Sequence, residues 1–198
     1  MQSGQYLWPA ATFGSNYIIN NWKNLRSNIM IELGSGCGLC GIITSKMNGV
    51  EYALMTDYDP GALEIIKSNI NMNKGHQNPI YQIEMLEWGT GIPSGVAKEM
   101  SRIEPADSNV YNMLILGTDL LYSVDIVAPL ISTVNAFLLS AADNKSLFIL
   151  VSSFDIGENI QTQFNQCINS CGLIVDEIVP LDVAQKVCRI QYIHHPIS

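Results

Sequence analysis

Short β-branched and apolar runs alternate along this chain with segments whose apolar residues recur every third or fourth position. Runs at residues 28–33, 52–56, 81–86, 111–117 and 146–152 read as strands, and 173–179 and 186–194 as two more joined by a Pro-containing turn. Helix-like segments fall at 10–25, from the loop after residue 33 to about 48, at 124–140 and at 157–171. Another opens at Asp59-Pro60, where Asp caps well and Pro suits a first turn, and it carries the stripe Leu63, Ile66 and Ile70. Gly172 is a helix stop. Residues 89–108, rich in Gly, Pro, Ser and Asp, read as a long loop with room for one helical turn. Such alternation predicts an α/β fold, a single doubly wound, Rossmann-like sheet of seven strands, mostly parallel with a C-terminal antiparallel hairpin. Ligands of open α/β sheets bind beyond the carboxyl ends of the strands. Glu32, Asp57, Trp88 and Asp119 all fall at such ends.

Composition narrows the choice of class. The 198 residues are 47% apolar and 14% charged, enough for one packed domain and too little charge for a disordered one. We divide the domain into an N-terminal segment (1–26), a core (27–155) and a C-terminal helix and hairpin (156–198). No apolar run is long enough to span a bilayer, and the start, Met-Gln-Ser-Gly-Gln, lacks the features of a signal peptide. The net charge of −8 argues against nucleic-acid phosphates and suits a locally basic protein partner. Five cysteines without a secretory signal point to reduced thiols and a cytoplasmic or nuclear home. Cys37 and Cys40, like Cys167 and Cys171, are expected to be packing residues, and no spacing suggests a metal.

The richest chemistry lies in Ile31-Glu32-Leu33-Gly34-Ser35-Gly36-Cys37-Gly38-Leu39-Cys40-Gly41. Alternate glycines between a strand and a helix let backbone N–H groups approach a nucleotide-like ligand. Gly36-x-Gly38-x-x-Gly41 also fits the dinucleotide fingerprint, with Asp57 placed for a ribose, so the glycines alone leave NAD and S-adenosylmethionine both open. Glu32 decides between them. At the strand tip it is expected to project toward the ligand, where two like charges about 4 Å apart repel by about 4 kcal/mol. A pyrophosphate is therefore disfavoured, while the ammonium and sulfonium of S-adenosylmethionine attract. Asp57 offers two oxygens to a ribose diol, and Trp88 offers a ring that either stacks on a base or fills the core.

Leu7-Trp8-Pro9-Ala10-Ala11, the glycine loop with Glu32, Thr56-Asp57, Leu86-x-Trp88-Gly89 and Gly117-Thr118-Asp119-Leu120-Leu121-Tyr122 occur together and in order. This set, with Asn69-Ile70-Asn71-x-Asn73, resembles the seven-β-strand, S-adenosylmethionine-dependent protein lysine methyltransferases of methyltransferase family 16, the METTL21-like group. The resemblance covers roughly residues 7–155. It implies a class I methyltransferase fold, S-adenosyl-L-methionine as cofactor and a protein substrate bearing the acceptor lysine. It further implies that Trp8, Gly34, Ser35, Gly36, Asp57, Trp88 and Thr118 contact the cofactor beside Glu32 and Gly38. Asp119 and Tyr122 would stand at the mouth where the methyl group emerges.

Two positions depart from that pattern. Few residues precede Leu7, where the family often carries a longer segment, so substrate contacts from there are missing or the chain is trimmed. Thr118 stands where the family usually has Ala.

Methyl transfer is an in-line displacement that needs positioning and desolvation more than covalent help. The target amine, near ~10.4 when free, must first lose a proton, which an apolar mouth favours. A carboxylate raises an amine's pKa, so Asp119 is assigned to orient the amine, with Tyr122 lining the channel. The plainer reading of the pair is an Asp capping the following helix and a Tyr packed beneath it. His194 and His195 read as a strand end and His76 as a solvated loop residue. Alternatives are transfer to histidine, an N-terminal amine or a small molecule, an inactive methyltransferase-like binding subunit, and an NAD oxidoreductase.

Overall fold

A computed structural model describes residues 6–75, 79–103, 111–141, 145–178 and 189–196. His76 and the turn between the last two strands lie outside the described residues.

The chain alternates as its pattern predicts. Helix α1 (Pro9–Leu25) precedes β1 (Ser27–Leu33), then α2 (Leu39–Ser45), β2 (Tyr52–Asp57), α3 (Pro60–Met72) and β3 (Ile80–Met85). Next come α4 (Ser94–Met100), β4 (Tyr111–Thr118), α5 (Val127–Ser140) and β5 (Ser146–Ser152). Helix α6 (Glu158–Ser170), β6 (Ile174–Ile178) and β7 (Arg189–His194) complete it. The strands form one sheet in the order β3-β2-β1-β4-β5-β7-β6. Strands β1 to β5 run parallel, and β7 enters antiparallel between β5 and β6.

Burial explains why the central strands are mostly apolar, with Ser27, Asn28, Glu32 and Thr56 among the buried polar exceptions. Ile31, Leu33, Leu54, Ile115 and Phe148 pack against α4, α5 and α6 on one face. Met30, Ala53, Leu114, Leu116 and Ile149 meet α1 and α2 on the other, and Met55 meets α2 and α3. A strand covered on both faces favours apolar side chains along its whole length. At β1 and β4 the strand order reverses, and such a switch point opens a crevice at the carboxyl edge.

Two elements differ in extent from the sequence expectation. Helix α2 ends at Ser45 rather than near 48, in turns that lead to Gly49 with φ 100°. The one helical turn expected within 89–108 is a seven-residue helix at 94–100: Val96 and Met100, four apart, bury one stripe against the core. The segment reads as loop because it is short, follows Pro93 and contains Gly95. Cys167 and Cys171 on α6 are packing residues as expected, half-buried against the core beside α5.

Candidate active site

The glycine loop is built by backbone that favours glycine. Gly34 has φ 59°, Gly36 54° and Gly38 80°, in the left-handed region. Gly34 is also a close approach: a Cβ there would lie 2.7 Å from Leu120 and 3.2 Å from the Trp88 ring. Hydroxyls lock the loop to the sheet. Ser35 Oγ donates to the Glu32 carbonyl at 3.2 Å and Thr56 Oγ1 donates to the same oxygen at 3.0 Å. Ser35 N–H donates to the Thr56 carbonyl at 2.8 Å. From α3, Asn69 Nδ2 donates to the Cys37 carbonyl at 2.8 Å, which gives the Asn-rich run a physical task.

Asp57 ties the first crossover to the second. Its Oδ2 accepts Gly36 N–H at 2.8 Å and its Oδ1 accepts Asp59 N–H at 2.9 Å. A carboxylate has about four acceptor sites, so lone pairs remain for a diol. The cap of α3 is Asp59, whose Oδ1 accepts Gly61 N–H at 2.8 Å. Trp88 is half-buried against the core. Gly89 N–H donates to Thr133 Oγ1 at 2.8 Å, which pins the Trp88 turn to α5.

Glu32 is not where the strand-tip argument puts it. It lies on the α2 face of β1 and is 1% exposed, beneath the loop rather than projecting into the crevice. The physical reason is Gly41: a Cβ on that residue would overlap Glu32 Oε2, so the third glycine makes room for a carboxyl. Oε2 has no hydrogen-bond partner among the described residues. Burial, with a smaller push from Asp57, raises its pKa to about 8, although the Ser35 hydroxyl and Gly41 amide oppose this. The same burial pushes the neighbouring Cys40 thiol up, with Glu32 adding to it.

Residues 118–120 spread to three neighbours. Thr118 turns its methyl toward Gly14 of α1, where an added Cβ would meet it at 3.6 Å, and Leu120 packs on Gly34. Asp119, at φ 55°, is 6% exposed and accepts from Ala10 N–H, Ser153 N–H and Ser153 Oγ–H. Expected to face an incoming amine, the carboxylate is committed to α1 and to the end of β5. Nor does it cap the helix that follows, whose N-terminus has no side-chain cap.

Tyr122 is 63% exposed rather than packed beneath a helix. Trp8 is 41% exposed at the start of α1, edge-on to Tyr6 with ring centroids 5.4 Å apart. His194 and His195 end β7 at the opposite edge of the sheet, where His194 Nε2 pairs with Asp176 at 3.1 Å.

The crevice edge thus collects Gly34, Ser35, Gly36, Gly38, Asp57, Trp88, Thr118 and Tyr122 at the ends of β1 to β4. Sequence reasoning missed Ser153 and Leu120, because a Ser after a strand and a Leu in a turn carry no spacing signal.

The residues fit an adenosyl ligand on three observations. The loop is cradled by glycines in positive φ, Asp57 keeps acceptor capacity, and a half-buried indole lies against Gly34. Among the described residues no cluster of His, Cys, Asp and Glu could hold a metal ion.

Comparisons with known proteins agree with this geometry. A family described as lysine methyltransferase matches residues 1–170. The mouse protein N-lysine methyltransferase METTL21A is 31% identical over 64% of this chain and 52% of its own. A Schizosaccharomyces pombe protein N-terminal and lysine N-methyltransferase is 30% identical over 60% of this chain and 44% of its own. The mouse histone-arginine methyltransferase METTL23 is 25% identical over 68% and 47%. The chain spans about half the length of these relatives. In fold it is similar to an S-adenosylmethionine-dependent methyltransferase from Aquifex aeolicus, with TM-score 0.60 at 13% identity over 91% of this chain and 88% of that one.

Proposed function

This chain belongs to the lysine methyltransferase family, and from that premise we propose that it transfers methyl groups to a lysine side chain of a protein substrate. The family uses S-adenosylmethionine, which supplies an electrophilic methyl group on a sulfonium when bound. The observation that carries the reading is the meeting, at one sheet edge, of the glycine cradle, the Asp57 carboxylate on Gly36 and the Trp88 ring on Gly34.

The residues divide the work. Gly34, Ser35, Gly36 and Gly38 present backbone to the amino-acid end of the cofactor, held in shape by Thr56 and Asn69. Asp57 uses its remaining lone pairs for the ribose, and Trp88 and Thr118 flank the base. Glu32 supports the loop from beneath instead of pairing with the ligand directly. Trp8, Tyr6 and Tyr122 are exposed aromatics on the approach. They are suited to exclude water from an acceptor amine, and an amine poor in water gives up its proton more readily than the ~10.4 of free lysine. The net charge of −8 favours a substrate that is basic around that lysine. The odd count of five cysteines suits a reducing, cytoplasmic or nuclear setting.

Thermal shift tests the cofactor. A ligand that binds only the folded state raises its melting point. S-adenosylmethionine and S-adenosylhomocysteine are expected to stabilise the protein and NAD to leave it unchanged; stabilisation by NAD alone overturns the reading. Incubation with labelled S-adenosylmethionine and basic protein substrates, followed by mapping of the labelled residue, tests the acceptor. Label on lysine is expected. Label confined to histidine, arginine or an N-terminus removes the lysine assignment while leaving the methyltransferase one in place.

A further inference from the structure

Asp119 is the described non-glycine residue with positive φ, 55°, a region that Asp and Asn visit more readily than other side chains and that its surroundings hold in place here. What holds it is a set of bonds made in both directions. Asp119 N–H donates to the Val151 carbonyl at 2.8 Å. Oδ1 accepts Ser153 N–H at 2.6 Å and Oδ2 accepts Ser153 Oγ–H at 2.7 Å. Oδ2 also accepts Ala10 N–H, 3.3 Å away and 109 residues distant in sequence. Ala10 lies in the first turn of α1, where backbone N–H groups have no intrahelical acceptor, and the side chain of the N-cap residue Trp8 does not cap the helix. Asp119 thus does from across the fold what a capping residue does locally, and its charge suits the positive end of the helix.

We propose that Asp119 is a positioning residue, and that with Ser153 it forms a clasp fastening the N-terminal end of α1 to the ligand-bearing edge of the sheet. Trp8 directly precedes that end and Tyr6 packs edge-on to Trp8, so the clasp sets where both rings stand. Thr118 on Gly14 and Leu120 on Gly34 flank it, which links α1 to the glycine loop through three consecutive residues. The carboxylate is buried and engaged by three donors, so it acts on the order and affinity of the cofactor site and not on the acceptor amine. The proposal rests on the methyltransferase reading only for the identity of the ligand.

Asp119→Asn, Ser153→Ala and Ser153→Thr test it by two readouts. Asn tolerates positive φ, so the first removes charge with little change of backbone. The first readout is amide exchange at Ala10 and the first turn of α1. The second is the dissociation constant of S-adenosylhomocysteine by calorimetry, compared with turnover at saturating cofactor.

Asp119→Asn is expected to speed exchange at Ala10 by about tenfold or more and weaken S-adenosylhomocysteine by about tenfold, with β4 and β5 amides still protected. Ser153→Ala should shift both in the same direction by less, and Ser153→Thr, which keeps the hydroxyl, should restore them. If Asp119→Asn does not fold, the two Ser153 variants decide the matter. Unchanged Ala10 exchange and unchanged affinity in Ser153→Ala overturn the clasp. So does an Asp119→Asn protein that binds S-adenosylhomocysteine normally but is inactive at saturating cofactor, because that places the carboxylate on the amine. Failure of the wild type to bind S-adenosylhomocysteine refutes the cofactor reading alone, and Ala10 exchange still judges the clasp.

Discussion

Glu32 and Gly41 are best understood as one unit. The carboxyl occupies the space that the missing Cβ leaves, and its pKa of about 8 stands well above the 4.5 of an unfolded chain. Between those two values the folded protein binds a proton that the unfolded chain does not. Stability therefore falls as pH rises from 4.5 to 8 and is flat in this group above that. At 1.36 kcal/mol per pH unit the loss is on the order of 5 kcal/mol. Glu32→Gln carries no titrating group, so urea unfolding at pH 5 and pH 9 should show the variant gaining on the wild type by about that amount. A parallel pH dependence in both proteins would show that the carboxyl does not titrate in this window. Gly41→Ala alone should cost about 1–3 kcal/mol by overpacking. In a Glu32→Ala background, where only the flexible Met55 methyl group still lies within 2.9 Å of the added Cβ, the same change should cost less, a coupling that a double-mutant cycle measures. The glycine spacing was legible in the sequence, but its use was not: a pattern of glycines marks where Cβ atoms are intolerable without saying which neighbour forbids them. That neighbour is a side chain of the preceding strand, and its burial reverses the charge argument made from its position.

Elements were legible where one force dominated. The β-branched runs became strands because both faces are covered, and Asp59-Pro60 opened α3 because cap and fixed φ agree. The place and extent of helix α4 were not legible beyond one helical turn in that loop, since two buried residues on a seven-residue helix give too short a stripe to outweigh Pro93 and Gly95. The α1 anchor was not legible either, because its acceptor lies on β4's far tip and no local pattern pairs residue 10 with residue 119. The second crossover allows the structural and ligand-facing roles of two neighbouring acids to be separated. Asp59→Ala removes the α3 cap and should cost about 1 kcal/mol of stability by denaturant unfolding. Its backbone N–H remains for Asp57, so S-adenosylhomocysteine affinity should change by less than about twofold. Asp57→Ala should do the reverse in emphasis: it removes the acceptor of Gly36 N–H and the diol contact, and affinity should fall by at least about tenfold, roughly 1.4 kcal/mol. Equal effects of the two variants on affinity would mean that Asp57 merely shapes the loop.

At the scale of the whole molecule, the sheet edge that holds the crevice is separated from the edge that holds His194, His195 and Asp176 by the full length of the strands. The candidate site lies at one end, and the molecule's charge acts on whatever approaches it. A net charge of −8 on 198 residues produces an attractive field for a basic partner over distances set by the ionic strength. The screening length falls from about 30 Å at about 0.01 M salt to about 8 Å at about 0.15 M. Encounter with a basic protein substrate is therefore expected to slow with salt, and kcat/KM for that substrate should drop by about tenfold or more across the range. S-adenosylhomocysteine is an inner ligand without net charge, so its affinity should move by less than about twofold under the same conditions. Stopped-flow or steady-state kinetics at several salt concentrations, alongside calorimetry of the homocysteine compound, separate the two. A salt-independent kcat/KM would place recognition in the exposed aromatics of the approach, Tyr6, Trp8 and Tyr122, rather than in the acidic surface as a whole. In that case truncating those rings, not raising the salt, would be what slows the encounter.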